Sequence, residues 1–243
     1  MTRIYIPAEL KPGTITELPE GAARHLVAVL RMQAGEEFVA FNGHGGEYEL
    51  RLEHAGKRGA SARVLTYSER ERESKLHITL AQCVSKGERM DYTLQKAVEL
   101  GVSAIVPLLS SRSVVRMDGE RWEKKLEHWR GVIVSACEQS GRTRIPPLAG
   151  VSEIEKWLPT APKDALRLTL APGPHGALHE IEHRADQQVV LLVGPEGGLS
   201  ANEIADAEES GFQCVRLGPR VLRTETAALV CLSNIQALWG DLR

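Results

Sequence analysis

The chain has 243 residues, of which 42% are hydrophobic and 26% charged, with a formal net charge of -2. This composition excludes a disordered chain, and the near-neutral charge excludes a globally basic nucleic-acid binder while leaving room for a local basic face. No apolar run approaches the ~18 residues of a membrane-spanning helix. The N-terminus MTRIYIPAELKPG lacks a secretory apolar stretch, so a cytoplasmic protein with no membrane partner is expected.

The first 70 residues read as a small β-rich domain. RIYIP (3–7), EEFVAFNG (36–43), EYELRLEHA (47–55) and SARVLTYSER (61–70) mix β-branched and alternating apolar residues, with glycine-rich turns between them. Short strands joined in this way suggest a small barrel or sandwich. EGAARHLVAVLRM (20–32) breaks the pattern, because Leu26, Val29 and Leu30 recur at helical spacing. Arg24 and Arg31, seven residues apart, fall on one face of that predicted helix. The charged segment SERERESK (68–75) is the best boundary, giving domains 1–70 and 71–243.

Beyond it, strands and helices alternate. Strands are predicted at 76–84, 103–110, 164–171, 188–194 and 214–218, and helices at 88–101, 121–140, 201–211 and 224–240. The alternation predicts an α/β fold with a mostly parallel sheet covered on both faces. The four cysteines form no CxxC pair, and the histidines never pair at ligand spacing, so reduced thiols and no metal are expected.

Three segments carry chemistry. In VVLLVGPEGGLSANEI (189–204) an apolar strand runs into Gly194-Pro195-Glu196-Gly197-Gly198, and Ser200 and Glu203 then form a capping box. A turn at the carboxyl end of a parallel strand is where open α/β sheets bind ligands. An ordinary tight turn would use the same glycines, and the run does not match a dinucleotide fingerprint. In VRLGPRVLRTETAALV (215–230), Leu222 lies between Arg220 and Arg223, as a pocket wall would, and Thr224 is a predicted N-cap. In the third segment, CEQSGRTRIPP (137–147), Glu138, Gln139, Ser140, Arg142 and Arg144 crowd a helix end and the loop after it. From Arg112 to Arg144 eight Lys/Arg stand against five Asp/Glu, a modest basic patch suited to phosphate.

Taken together, these segments resemble the SPOUT superfamily of S-adenosylmethionine-dependent RNA methyltransferases. Within it the chain is similar to the RsmE family of 16S ribosomal RNA uracil-N3 methyltransferases. The resemblance rests on Gln95-Lys96-Ala97-Val98-Glu99-Leu100-Gly101, Glu138-Gln139-Ser140 with Arg142, Gly194 to Gly198, and Leu217 to Ala227. Val221 stands where isoleucine is expected, a conservative departure.

The resemblance implies a PUA-like β-barrel followed by a SPOUT domain tied in a deep trefoil knot. It also implies a homodimer acting on one uridine of 16S rRNA in the small ribosomal subunit. The S-adenosylmethionine site would comprise Leu168, Thr169 and Leu170, then Gly194, Pro195, Glu196, Gly197 and Gly198, then Leu217, Gly218, Leu222, Thr224 and Ala227. Uracil N3 carries a proton at neutral pH. A base or a cation at O2 or O4 is therefore needed, with Glu138 or Glu225 as base and Arg142 or Arg223 as cation. Arg24, Arg31, Arg112, Arg116 and Arg144 are the expected RNA contacts. A ribose 2′-O methyltransferase, or an assembly factor that holds the cofactor without turnover, would share these features.

Overall fold

The structure, a computed structural model, describes residues 2–56, 59–115, 117–171, 173 and 175–242. It divides into two compact units. The first comprises Met1–Glu73 with Cys137–Ile145, and the second Ser74–Ala136 with Pro146–Arg243.

In the first unit, β1 (Arg3–Tyr5), β2 (Ile15–Glu17), β3 (Glu37–Phe41), β4 (Glu47–Gly56) and β5 (Gly59–Ser68) form one mixed sheet, ordered β1-β3-β4-β5-β2. Only β1 and β3 pair in parallel. Alternation along β4 and β5 sends Leu50, Leu52, Ala62 and Val64 inward, where they pack with Ile4, Ile6, Phe38 and Leu26. The strand β2 was not anticipated, because three residues carry too little periodicity to read.

The helix expected over 20–32 is shorter and differently wound. One α-turn, α1 (Glu20–Ala23), passes into a π-helical turn over Arg24–Val29. Leu30 N donates to His25 O and Met32 N to Leu26 O, so the wider turn ends the helix before Arg31. Arg31 has a φ of 57°, outside helical backbone. Arg24 and Arg31 therefore do not share a helix face, because the seven-residue argument assumed a period of 3.6 throughout.

The second unit contains β6 (Ile78–Cys83), α2 (Glu88–Glu99), β7 (Ala104–Leu109), α3 (Gly119–Ser140), β8 (Ser152–Glu153), α4 (Ile154–Trp157), β9 (Leu166–Leu170), β10 (Val189–Val193), α5 (Ala201–Glu209), β11 (Gln213–Val215) and α6 (Thr224–Trp239). Cys137 to Ser140, the end of α3, cluster with the first unit. The six strands form a wholly parallel sheet ordered β11-β9-β10-β6-β7-β8. All five residues of β10 are buried, as expected for a strand covered on both faces. On one face Ala81, Cys83, Val190 and Leu192 pack with Ile154, Ala207 and Phe212.

Helix α2 buries Met90, Leu94, Ala97 and Val98, a helical stripe. Full burial of each large member of such a stripe contributes roughly 1.5–3 kcal/mol. Helix α6 buries Ala228, Cys231, Leu232, Ile235 and Gln236. Gln236 Nε2 donates to Leu100 O, tying α6 to the end of α2 (2.9 Å).

All four cysteines are free thiols. Burial pushes Cys137 and Cys231 up to about 12, where neither is a nucleophile. Among the described residues no helix is long and apolar enough to cross a membrane, and no group of three His, Cys, Asp or Glu could hold a metal.

Candidate active site

Strands β9, β10 and β11 are parallel neighbours, so the chain leaves all three at the same sheet edge. The three groups of residues that the resemblance assigns to the cofactor are the ends and exits of these strands. Leu168 and Thr169 are buried at the end of β9, with Leu170 half-buried beside them. Gly194 and Pro195 are buried after β10, Glu196 and Gly197 are exposed, and Gly198 is half-buried. After β11, Leu217, Leu222 and Ala227 are half-buried, while Gly218, Val221 and Arg223 are exposed. Leu222 is thus less exposed than Val221 and Arg223 on either side of it.

The turn after β10 depends on its glycines. A Cβ at Gly194 would meet Leu199 N at 2.8 Å, a backbone atom that cannot move aside cheaply. Gly198 has a φ of 67°, in the left-handed region that glycine tolerates. A Cβ at Gly198 or at Gly218 would meet nothing within 4 Å, so space lies open beside both.

The predicted capping box forms. Glu203 N donates to Ser200 Oγ (3.2 Å) and Ser200 N to Glu203 Oε2 (2.7 Å). Glu203 also accepts from Ser111 N (2.7 Å). Burial raises its carboxyl pKa, but these donors outweigh burial and hold it below the ordinary carboxylate value. Arg112 donates to Gly197 O (2.8 Å) and Leu199 O (3.2 Å), bracing the turn from outside.

Thr224 differs from its expected role. It is the first residue of α6 rather than its N-cap, a position held by Arg223 with no side-chain cap bond. Its hydroxyl instead reaches across the sheet edge. Thr224 Oγ1 donates to Gly194 O (2.6 Å) and accepts from Gln82 Nε2 (3.1 Å). One side chain thus ties the start of α6 to the ends of β10 and β6.

A polar cluster adjoins this tie. Glu196 Oε1 accepts from Lys86 N and from Arg89 (both 2.8 Å), and Arg89 Nε lies 3.8 Å from Glu225 Oε1. Burial pushes the Glu196 carboxyl up, but backbone N–H donors and Arg89 bring it below the ordinary value. Among the described residues, Gln82 Oε1, Ser85 Oγ, Thr169 Oγ1 and Glu225 Oε2 are buried without a hydrogen-bond partner. Gln82, Ser85 and Arg89 were not singled out from the sequence. A glutamine at the end of the apolar run LHITLAQCV was the available signal.

The remaining candidates divide between the two units. Glu138, Arg142 and Arg144 belong to the first unit, whereas the strand-end loops, Arg223 and Glu225 belong to the second. Glu138 Oε1 accepts from Tyr5 N (2.9 Å). Arg142 is only 6% exposed and pairs with Glu73, with Nε donating to Oε2 at 2.8 Å. Arg144 is exposed and pairs with Glu71 (3.0 Å). Burial raises the Glu71 carboxyl, but Thr143 and Arg144 outweigh it and hold the group low.

The basic patch counted over 112–144 is therefore partly neutralised. Acids outside that window, Glu71, Glu73 and Asp91, pair with Arg144, Arg142 and Lys125. Arg24 and Arg31 are exposed, and Arg116 lies outside the described residues.

Two cavities lie away from the strand-end loops. One of about 460 Å³ is lined by Pro162, Asp164, Gln187 and Gln188, before β9 and β10 begin. Another of about 620 Å³ lies between Gln95 and the His128–Ser135 stretch of α3. Converging loops and buried unpartnered polar atoms, rather than cavity size, mark the candidate site.

Known proteins point the same way. A family described as an RNA methyltransferase domain matches residues 72–236, and one described as an RNA methyltransferase PUA domain matches 18–65. Ribosomal RNA small subunit methyltransferase E of Bacillus subtilis is 32% identical, over 99% of this chain and 100% of its own. The protein of that name from Buchnera aphidicola of Schizaphis graminum is 31% identical, covering 99% and 97%.

Among solved structures, ribosomal RNA small subunit methyltransferase E of Neisseria gonorrhoeae, bound to S-adenosylmethionine, matches with a TM-score of 0.94. It is 41% identical and covers 100% of both chains. A Legionella pneumophila protein in complex with the same cofactor matches with a TM-score of 0.96, at 42% identity over 99% of each chain. The chain belongs to the ribosomal RNA small subunit methyltransferase E family.

Proposed function

We propose that this chain transfers a methyl group from S-adenosylmethionine to N3 of one uridine in 16S ribosomal RNA of the small subunit. The observation that carries the reading is the meeting of three loops at the carboxyl ends of adjacent strands β9, β10 and β11. These loops suit the cofactor. Space lies open beside Gly198 and Gly218, Leu217 and Leu222 present half-buried apolar surface, and Thr169 Oγ1 is buried and unpartnered. An apolar pocket with a few fixed polar groups is the usual form of such a site. Relatives bound to S-adenosylmethionine support the choice of cofactor.

When bound, the cofactor supplies an electrophilic methyl carbon on a sulfonium. The chain must hold it in line with the acceptor and free the N3 lone pair. Residues Leu168 to Leu170, Gly194 to Gly198, Leu217, Gly218, Leu222, Thr224 and Ala227 would hold the cofactor. Glu225, with its unpartnered Oε2, would take the N3 proton as N3 bonds to the methyl carbon. The cofactor's neutral thioether would be the leaving group. Arg223, exposed beside Glu225, would stabilise negative charge at O2 or O4. Glu138 and Arg142, engaged by Tyr5 and Glu73, act in this reading by fixing the 137–145 segment.

N3 lies on the pairing edge, so the target uridine must be unpaired or drawn out of its stack. Arg24, Arg31, Arg112, Arg116 and Arg144 would contact phosphates. The reading further includes a PUA-like barrel over 1–70, a knotted SPOUT domain over 71–243, homodimers and a cytoplasmic site of action.

Incubation with methyl-labelled S-adenosylmethionine and small subunits lacking the modification tests the reading. Label is expected in 16S RNA. Cofactor binding by calorimetry with no label in any ribosomal RNA would instead favour an assembly factor.

A further inference from the structure

An acceptor base needs a place beside the cofactor, and the sheet order offers one. The proposed cofactor loops follow β11, β9 and β10, and the next strand in the sheet is β6. Its carboxyl end opens at the same edge, since β6 and β10 are parallel. Just there the chain buries polar groups that lack partners. Ser85 is 3% exposed, and its hydroxyl has no hydrogen-bond partner among the described residues. Gln82 is fully buried. Its Nε2 donates to Thr224 Oγ1 and Cys83 O, while its Oε1 is unpartnered. Buried hydroxyls in native proteins nearly always find a partner, so one left open marks a place that a ligand completes.

The surroundings suit the uracil of the proposed function. Lys86 N and Arg89 both bind Glu196 of the turn after β10, and Arg89 also faces Glu225, whose Oε2 is open. A uracil edge presents acceptor, donor, acceptor in the order O2, N3–H, O4. A serine hydroxyl can donate to one of these carbonyls while a carboxylate oxygen accepts from N3–H.

We propose that the carboxyl end of β6 is the uracil subsite, in which the Ser85 hydroxyl donates to a carbonyl flanking N3 and Arg89 is a positioning residue for Glu225. The assignment rests on the methyltransferase reading above. Gln82 lines the subsite and, through Thr224, couples it to the cofactor turn at Gly194. Arg89 anchors both carboxylates, Glu196 on the cofactor side and Glu225 on the acceptor side.

The test uses the full-length protein and Ser85→Ala. A hydroxyl with only a structural role and no partner would leave the fold unharmed or improved when removed, so Tm is expected to stay level or rise. Calorimetric affinity for S-adenosylmethionine is expected to hold within about twofold, while kcat/KM on small subunits falls about tenfold or more. Wild-type kcat/KM in this variant would overturn the proposal. So would weakened cofactor affinity with kcat retained at saturating cofactor, since the hydroxyl would then serve the cofactor.

Arg89→Ala and Arg89→Lys provide a second arm that survives any misfolding of the first. Arg89→Ala is expected to lower kcat at saturating cofactor, beyond any loss of cofactor affinity through Glu196, and Arg89→Lys to recover part of the loss in kcat. Equal kcat in all three proteins would remove the positioning role. If the wild-type protein binds the cofactor yet labels no ribosomal RNA, the methyltransferase reading itself fails, before any variant is compared.

Discussion

At the scale of single residues, Thr224 carries more of the site than its neighbours in sequence suggest. It donates to Gly194 O and accepts from Gln82, so removing the hydroxyl takes a partner from two buried polar groups, of which Gln82 Nε2 keeps its bond to Cys83 O. Leaving a buried group unsatisfied costs about 1–3 kcal/mol. Thr224→Val keeps the shape and removes the bonds. Urea unfolding is expected to show a loss of about 2 kcal/mol, largely recovered in Thr224→Ser. Cofactor affinity should fall with it, because the turn at Gly194 loses its tether. The sequence showed that a helix begins near Thr224 but misplaced the role of its hydroxyl. Capping logic looks only a few residues along the chain, and the true acceptor is 30 residues away. Arg142 and Arg144 repeat the lesson. Their charges looked available within a window of sequence, yet Glu73 and Glu71 meet them from outside it.

At the scale of elements, legibility followed length and periodicity. Helices α2 and α6 and strand β10 lie close to where their apolar spacing places them, since each buries a stripe or face, and α5 starts at the capping box read from Ser200 and Glu203. The strand β8 and the helix α4 have two and four residues, too few to set a period. The π turn after α1 escaped for a related reason: apolar spacing marks a helix but does not reveal where the winding widens.

One pairing of elements also yields a pH prediction. Asp91 on α2 accepts from Lys125 (3.2 Å), His128 (2.6 Å) and Trp129 (2.9 Å) on α3. Burial pushes its carboxyl up, but these three donors outweigh burial and hold it below the ordinary value. A depressed carboxylate stabilises the fold above its unfolded pKa, and that stabilisation is lost as pH falls through the folded one. Asp91→Asn should therefore melt below the wild type at neutral pH. The two curves should converge as pH falls from about 5 towards 2. A constant difference in Tm across that range would show that Asp91 does not pin α2 to α3 as a carboxylate.

At the scale of the whole molecule, the change from strand-rich to alternating sequence near residue 70 lies close to the division between compact units at Glu73 and Ser74. The return of Cys137–Ile145 to the first unit was not legible, because it depends on pairs such as Tyr5 with Glu138 and Glu73 with Arg142, each more than 60 residues apart. The turn at Gly194 to Gly198 was legible because a glycine-rich turn after an apolar strand is a local feature, whereas Leu168 to Leu170 entered only through the family resemblance. The acceptor side was not, because it depends on β6 lying next to β10, a neighbour more than 100 residues distant. The proposed knot likewise concerns the path of the chain rather than its periodicity.

The central claim is that this fold methylates one uracil at N3. Its most direct test is the identity of the product nucleoside. Small subunits from a strain lacking this gene would be incubated with the protein and labelled S-adenosylmethionine, and the 16S RNA digested to nucleosides. The account predicts a single labelled product, N3-methyluridine. A labelled 2′-O-methyl nucleoside, or a methylated base other than uracil, would contradict it.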